Sequence, residues 1–89
     1  MPEKRLRIVN EKGLHARASA RFVETVERFD AEARVTRDGM TVSGDSIMGL
    51  LMLGAAQGTE IEIVTRGEKA EALMKALEDL LAGRFGERR

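Results

Sequence analysis

The chain holds one histidine and no cysteine. Histidine is the only side-chain type whose ordinary titration lies near neutrality, so His15 is the obvious candidate for chemistry. The absence of cysteine excludes disulfides, thiolate nucleophiles and cysteine-ligated metals, and a lone histidine excludes multi-histidine metal sites. No metal site and no cofactor is expected. His15 follows a loop containing Gly13 and precedes a helical periodicity that begins near Ala16. Unpaired backbone amides and the positive end of the helix dipole face a residue placed there. Neutral imidazole is a nucleophile, and helix starts bind phosphate. Arg17, two residues on, adds a guanidinium able to hold phosphoryl oxygens in a bidentate grip. Plainer roles fit the same residues: His15 as a cap, Arg17 as a solvated helix residue, Gly13 as a turn. Spacing alone leaves both readings open.

A second candidate is Gly44-Asp45-Ser46-Ile47-Met48. Ser46 stands before an apolar run and reads first as a helix N-cap. A serine at a helix start is also a good phosphorylation site, because the new charge meets amides rather than carbonyls. Ile47, Met48, Leu50, Leu51, Met52 and Leu53 spread nearly all round one short helix. A two-turn helix cannot bury all of them, so part of the set is expected to form an exposed apolar patch.

These candidates need a scaffold, and the rest of the chain spells one. Arg5-Leu6-Arg7-Ile8, Glu32 to Thr36 and Glu60 to Ile63 alternate charged or polar with apolar residues, the period of half-buried strands. Asp38-Gly39 between Val35 and Val42 predicts a two-residue hairpin turn and a further strand. Ala18, Phe22, Val26 and Phe29 form one helical stripe; Ala70, Leu73, Leu77 and Leu80 form another, ended by Gly83. Gly54 is the expected stop of the short helix. Glu71 and Lys75 are spaced as an i,i+4 ion pair, and Arg84 to Arg89 is expected to fray. The order β-α-β-β-α-β-α is that of a two-layer α+β fold with an antiparallel or mixed sheet. At 89 residues, the chain is expected to be a single domain, 1–89.

Fifteen basic residues balance fifteen acidic ones, which argues against a nucleic-acid partner. The longest apolar stretch, Ile47 to Ala56, is broken by two glycines and is half a membrane span. No membrane insertion and no signal peptide is expected, and the expected compartment is the cytoplasm.

Asn10-Glu11-Lys12-Gly13-Leu14-His15-Ala16-Arg17-Ala18-Ser19 resembles the active-site segment of the HPr family, the histidine-containing phosphocarriers of the phosphoenolpyruvate-dependent phosphotransferase system. Gly44-Asp45-Ser46-Ile47-Met48-Gly49-Leu50-Leu51 resembles the family's second segment, around its regulatory serine, and the likeness runs over essentially the whole chain. The resemblance implies an open-faced β-sandwich: a four-stranded antiparallel sheet with three helices on one face. It implies that His15 takes a phosphoryl group from enzyme I on Nδ1 and passes it to an enzyme IIA domain, as a carrier without independent turnover. Arg17 would neutralise the phosphoryl charge, and the backbone amides of Ala16 and Arg17 would contact it. Ile47, Met48 and Leu51 would supply a docking surface, and Ser46 matches the position modified by HPr kinase/phosphorylase in some members. The family often has Pro where this chain has Ala18. That departure resembles the nitrogen-related regulatory branch more than the sugar-uptake carriers. Nothing in the sequence suggests more than a monomer.

The alternative of another class is an acyl-carrier-like protein modified at Ser46, because Asp45-Ser46 before an apolar residue resembles a phosphopantetheine attachment site. Such carriers are acidic helical bundles, whereas this chain is charge-balanced with four strand patterns. A small enzyme is a poorer reading, since one histidine and no metal cluster leave too few groups for a free-standing site. A plain interaction module would make His15 dispensable.

Overall fold

The alternating segments become strands in the computed structural model, which describes residues 1–89. They are β1 (Glu3–Arg7), β2 (Glu32–Arg37), β3 (Met40–Ser43) and β4 (Glu60–Arg66). β2 and β3 form the expected hairpin, pairing Val35 with Val42 and Arg37 with Met40. The two residues left over, Asp38 and Gly39, have φ of 49° and 80°. A two-residue turn matching the twist of its strands requires positive φ at both places.

Sequence alternation left the strand order open. The sheet runs β1-β4-β2-β3, and every neighbouring pair is antiparallel. Ala33, Val35, Ile61, Ile63 and Thr65 point from the central strands into the core. The other face is wet and carries cross-strand ion pairs, Arg5 to Glu62 at 3.2 Å and Arg66 to Glu32 at 2.6 Å. These pairs are solvent-exposed, each contributing at most about 1 kcal/mol.

Three helices, α1 (Ala16–Glu27), α2 (Ile47–Met52) and α3 (Ala70–Ala82), cover the inner face, with α1 touching both of the others. In α1 the stripe Ala18, Phe22 and Val26 is buried, while Phe29 is half-buried. In α3 Leu73 and Leu77 lie at the centre of the core, but Leu80 is only half-buried and Met74 and Leu81 go in instead. The buried face of a core helix is wider than one row, and the i, i+4 row of Leu73, Leu77 and Leu81 carries it. Lys75 pairs with Asp79 at 3.0 Å rather than with Glu71.

The expected fraying of Arg84 to Arg89 is overturned. Arg84–Gly86 closes a 3-10 turn, and Phe85 is completely buried in the core cluster. Arg84 and Phe85 both take left-handed φ, 57° and 55°. That conformation costs roughly 1–2 kcal/mol for each residue. Burying the Phe85 ring returns about 1.5–3 kcal/mol, and further hydrogen bonds downstream hold the segment. One of them joins the Glu11 N–H to the Arg89 carbonyl at 2.9 Å.

Candidate functional site

His15 ends the loop before α1 with extended backbone, φ −79° and ψ −176°. Its carbonyl accepts the first helical hydrogen bond, from the Ser19 N–H at 2.8 Å, and its Nδ1 accepts the Arg17 N–H at 3.2 Å. His15 is therefore the N-cap of α1 through its imidazole. The N–H groups of Ala16 and Ala18 find no partner in the chain, as the first turn of a helix dictates. An acceptor Nδ1 places the proton of the neutral ring on Nε2. Nε2–H faces Oε2 of Glu87, and the two form a close hydrogen-bonded pair. The side chains are 29% and 18% exposed.

The loop that carries His15 is pinned from three sides. Asn10, wholly buried, donates through Nδ2 to the Gly13 carbonyl at 2.8 Å and to Glu87 Oε1 at 3.0 Å. The Leu14 N–H donates to the Ala55 carbonyl at 2.9 Å, beyond the end of α2. Gly13 has φ +68°, and a Cβ there would lie 2.6 Å from the same Ala55 oxygen. Only glycine meets both demands.

Burial pushes the titration of the Glu87 carboxyl up. Hydrogen bonds from Asn10 and His15, followed by the positive charges of His15 and Lys12, outweigh burial and hold it below the usual carboxylate value. An anionic Glu87 thus faces the ring edge remote from Nδ1. Arg17 is exposed and enters none of the ion pairs. Its guanidinium is free to meet an anion at the start of α1.

Ser46 caps α2 as its position suggested. Its Oγ accepts the Gly49 N–H at 3.0 Å. Of the apolar run, Leu50 and Leu53 are buried and Leu51 is half-buried, whereas Ile47, Met48 and Met52 stay 41%, 69% and 65% exposed. The exposed set is therefore Ile47, Met48 and Met52, with Leu51 contributing less than expected. No hydrogen bond joins Ser46 to His15; the helices they cap, α1 and α2, pack on each other.

Sequence reasoning gave no role to Asn10 or Glu87. Asn10 sits within the motif but reads as an ordinary turn residue. Glu87 lies 72 residues from His15 in a charged tail expected to fray, where the Phe85 ring is the one feature that could have indicated packing.

Comparison with known proteins follows the same lines. Residues 2–83 match the family described as the PTS HPr component phosphorylation site. The phosphocarrier protein HPr of Neisseria meningitidis is 48% identical over 87 residues, covering 98% of each chain. That of Pseudomonas aeruginosa is 41% identical over 88 residues, again 98% of each. The crystal structure of HPr-C-His from Thermoanaerobacter tengcongensis superposes with a TM-score of 0.95 at 39% identity, covering 100% of both chains. The acyl-carrier alternative is not supported, since Ser46 caps a short helix packed on a four-stranded sheet rather than a helix of a bundle. No helix is long and apolar enough to cross a membrane. Motif, topology and relatives agree that this chain belongs to the HPr family of phosphocarrier proteins of the phosphotransferase system.

Proposed function

We propose that His15 accepts a phosphoryl group on Nδ1 from phosphorylated enzyme I and hands it to an enzyme IIA domain. One observation carries this reading: His15 Nδ1 lies at the start of α1 and accepts the Arg17 N–H at 3.2 Å, the geometry of a nitrogen without a proton. In the forward step that lone pair attacks phosphorus, the N–P bond forms, and the bond from phosphorus to the donor breaks. Nε2 keeps its proton, so the phosphorylated ring is cationic. The Arg17 N–H, released from Nδ1, turns to a phosphoryl oxygen together with the free N–H of Ala16, while the Arg17 guanidinium offsets the charge. In the return step a nucleophile of the acceptor attacks phosphorus, and the N–P electron pair goes back to Nδ1. The chain is a relay, with no net turnover of its own.

Residues 1–89 act in this reading as one cytoplasmic, monomeric carrier domain. Ile47, Met48 and Leu51, extended by Met52, form the docking surface for both partners. Ser46 is a regulatory phosphorylation site for a serine kinase of the HPr kinase/phosphorylase type. Incubation with phosphoenolpyruvate and enzyme I is expected to add one acid-labile, base-stable phosphoryl group, seen by intact mass. An unchanged mass with active enzyme I would refute the reading.

A further inference from the structure

Five large apolar side chains are exposed on this molecule. Four of them are methionines, Met1, Met40, Met48 and Met52, and the fifth is Ile47. The core makes the opposite choice. It is built from Phe, Ile, Leu, Val and Ala and holds one methionine, Met74, which is 3% exposed. Met48 and Met52 stand four residues apart in α2, so they share one face of that helix. Both side chains lie largely in water. α2 itself is held at both ends whatever that face carries. Ser46 Oγ accepts the Gly49 N–H, and Arg37 of β2 donates through Nη1 to the Leu53 carbonyl at 2.9 Å. Between these ties the helix lies close on β3, where a Cβ at Gly49 would come 3.0 Å from Cβ of Val42. Chemistry on the outer face therefore leaves the helix in place.

Methionine suits a surface that must fit more than one partner, because its unbranched side chain and polarisable sulfur adapt to different shapes. The same sulfur is open to two-electron oxidation. We infer that Met48 and Met52 form a reversible oxidation site, through which peroxide weakens docking and slows phosphorylation of His15. The inference rests on the proposed docking role of this face. In the forward step a sulfur lone pair attacks one oxygen of hydrogen peroxide. The S–O bond forms and the O–O bond breaks; the proton of the attacked oxygen passes to the departing one, which leaves as water. Sulfur is oxidised by two electrons and the peroxide is reduced. In reverse, two thiols of a methionine sulfoxide reductase remove the oxygen as water and close a disulfide. The sulfoxide replaces an adaptable apolar group by a polar one. An apolar partner surface would have to desolvate that oxygen without offering it a donor. His15 is untouched, so the block falls on docking and not on the phosphoryl chemistry.

Mild hydrogen peroxide, peptide mass mapping and labelling from phosphoenolpyruvate and enzyme I test this. Met48 and Met52 are expected to gain one oxygen each well before Met74 does. With both oxidised, the KM of this protein as a substrate of enzyme I is expected to rise roughly five- to fiftyfold, as for a buried polar group left unpaired. kcat is expected to change little. Treatment with the two methionine sulfoxide reductases, one for each sulfoxide epimer, is expected to restore KM. The double variant Met48→Leu, Met52→Leu keeps the apolar bulk and offers no sulfur on α2. Peroxide still oxidises its Met1 and Met40, but its KM is expected to stay at that variant's own untreated value. Met40→Leu is expected to give no such protection. Wild-type KM in protein oxidised at both positions, or an equal loss in the double variant, would overturn the inference. So would oxidation of Met74 as fast as Met48. Failure of untreated wild type to label would instead strike the carrier reading, while the mass map and its reversal by the reductases would still decide whether Met48 and Met52 are the oxidation site.

Discussion

Two helices of this molecule begin in the same way and with different consequences. α1 and α2 each start after a residue in extended backbone whose side chain accepts one of the orphan amides, His15 at the Arg17 N–H and Ser46 at the Gly49 N–H. Serine is among the preferred caps. Histidine is not, and at the start of α1 it is supported from elsewhere: Asn10 and Glu87 hold the loop and the far edge of the ring. A hydroxyl cap satisfies its helix and needs nothing else. An imidazole cap satisfies its helix while keeping a nucleophilic nitrogen in contact with the amides that would receive a phosphoryl group. The difference teaches that the same kind of unpaired amides meets a hydroxyl in one helix and a titratable ring nitrogen in the other, and only the second arrangement suits the proposed phosphoryl transfer.

The comparison is broken most completely at His15. His15→Ala is expected to abolish labelling from phosphoenolpyruvate and enzyme I, as read by intact mass. The fold is expected to survive, because the side chain sits at a helix end and not in the core. Arg17 comes next. A charge-assisted contact contributes on the order of 1.5–3 kcal/mol, so Arg17→Ala is expected to slow transfer by about one to two orders of magnitude. Arg17→Lys is expected to restore only part, lacking the planar fork. Rapid-quench labelling checks both, and wild-type rates in both would mean that the helix amides suffice.

What could be foreseen here was what local sequence controls. Asp38-Gly39 specified its turn because only a few residues tolerate positive φ, and Ser46 specified its helix start because its oxygen bonds three residues ahead. The placement of His15 and Arg17 at a helix start was legible for the same reason: the boundary lies between a glycine loop and an apolar stripe. The place of β4 between β1 and β2 was not legible, since alternation states which face a residue takes and not which strand it joins. Glu87 was hidden for a related reason. Its partner is 72 residues away, and a glutamate among arginines looks like solvated tail. Phe85 was the available clue, because an aromatic ring after a helix stop rarely stays in water.

Ser46 sharpens the comparison with a smaller effect. Ser46→Ala is expected to cost about 1 kcal/mol of cap stability, near 4–8 °C in the melting curve of a chain this size, while His15 still accepts phosphate. Ser46→Asp keeps a capping oxygen, so its melting temperature is expected to stay near wild type. It also sets a charge beside Ile47 and Met48, both exposed, where docking on an apolar partner surface would desolvate it at a cost. The initial rate of His15 phosphorylation is therefore expected to fall in Ser46→Asp and to hold in Ser46→Ala. A wild-type rate in Ser46→Asp would reduce Ser46 to a cap alone.

The smallest effect lies at the third partner, Glu87, and its sign follows from linkage. The carboxyl titrates below its usual value in the folded chain, because hydrogen bonds from Asn10 and His15 and the charges of His15 and Lys12 outweigh burial. In the unfolded chain it titrates at about 4.3. A carboxyl with a lowered native pKa binds its proton more readily once the chain unfolds, so its contribution is fully present above the unfolded value. That contribution fades as pH falls through the native value, where folded and unfolded chains are protonated alike. Glu87→Gln cannot titrate and loses the contribution at every pH. Denaturant melts of wild type and Glu87→Gln are thus expected to differ near neutrality, by less than about 1 kcal/mol for a partly exposed pair, and to converge in acid. His15→Ala in the same series isolates the imidazole's share: with the ring gone, Asn10 and Lys12 remain, and the difference is expected to shrink without vanishing. A gap between wild type and Glu87→Gln that is unchanged down to strong acid would mean that the carboxylate's charge contributes nothing to holding the tail on the site.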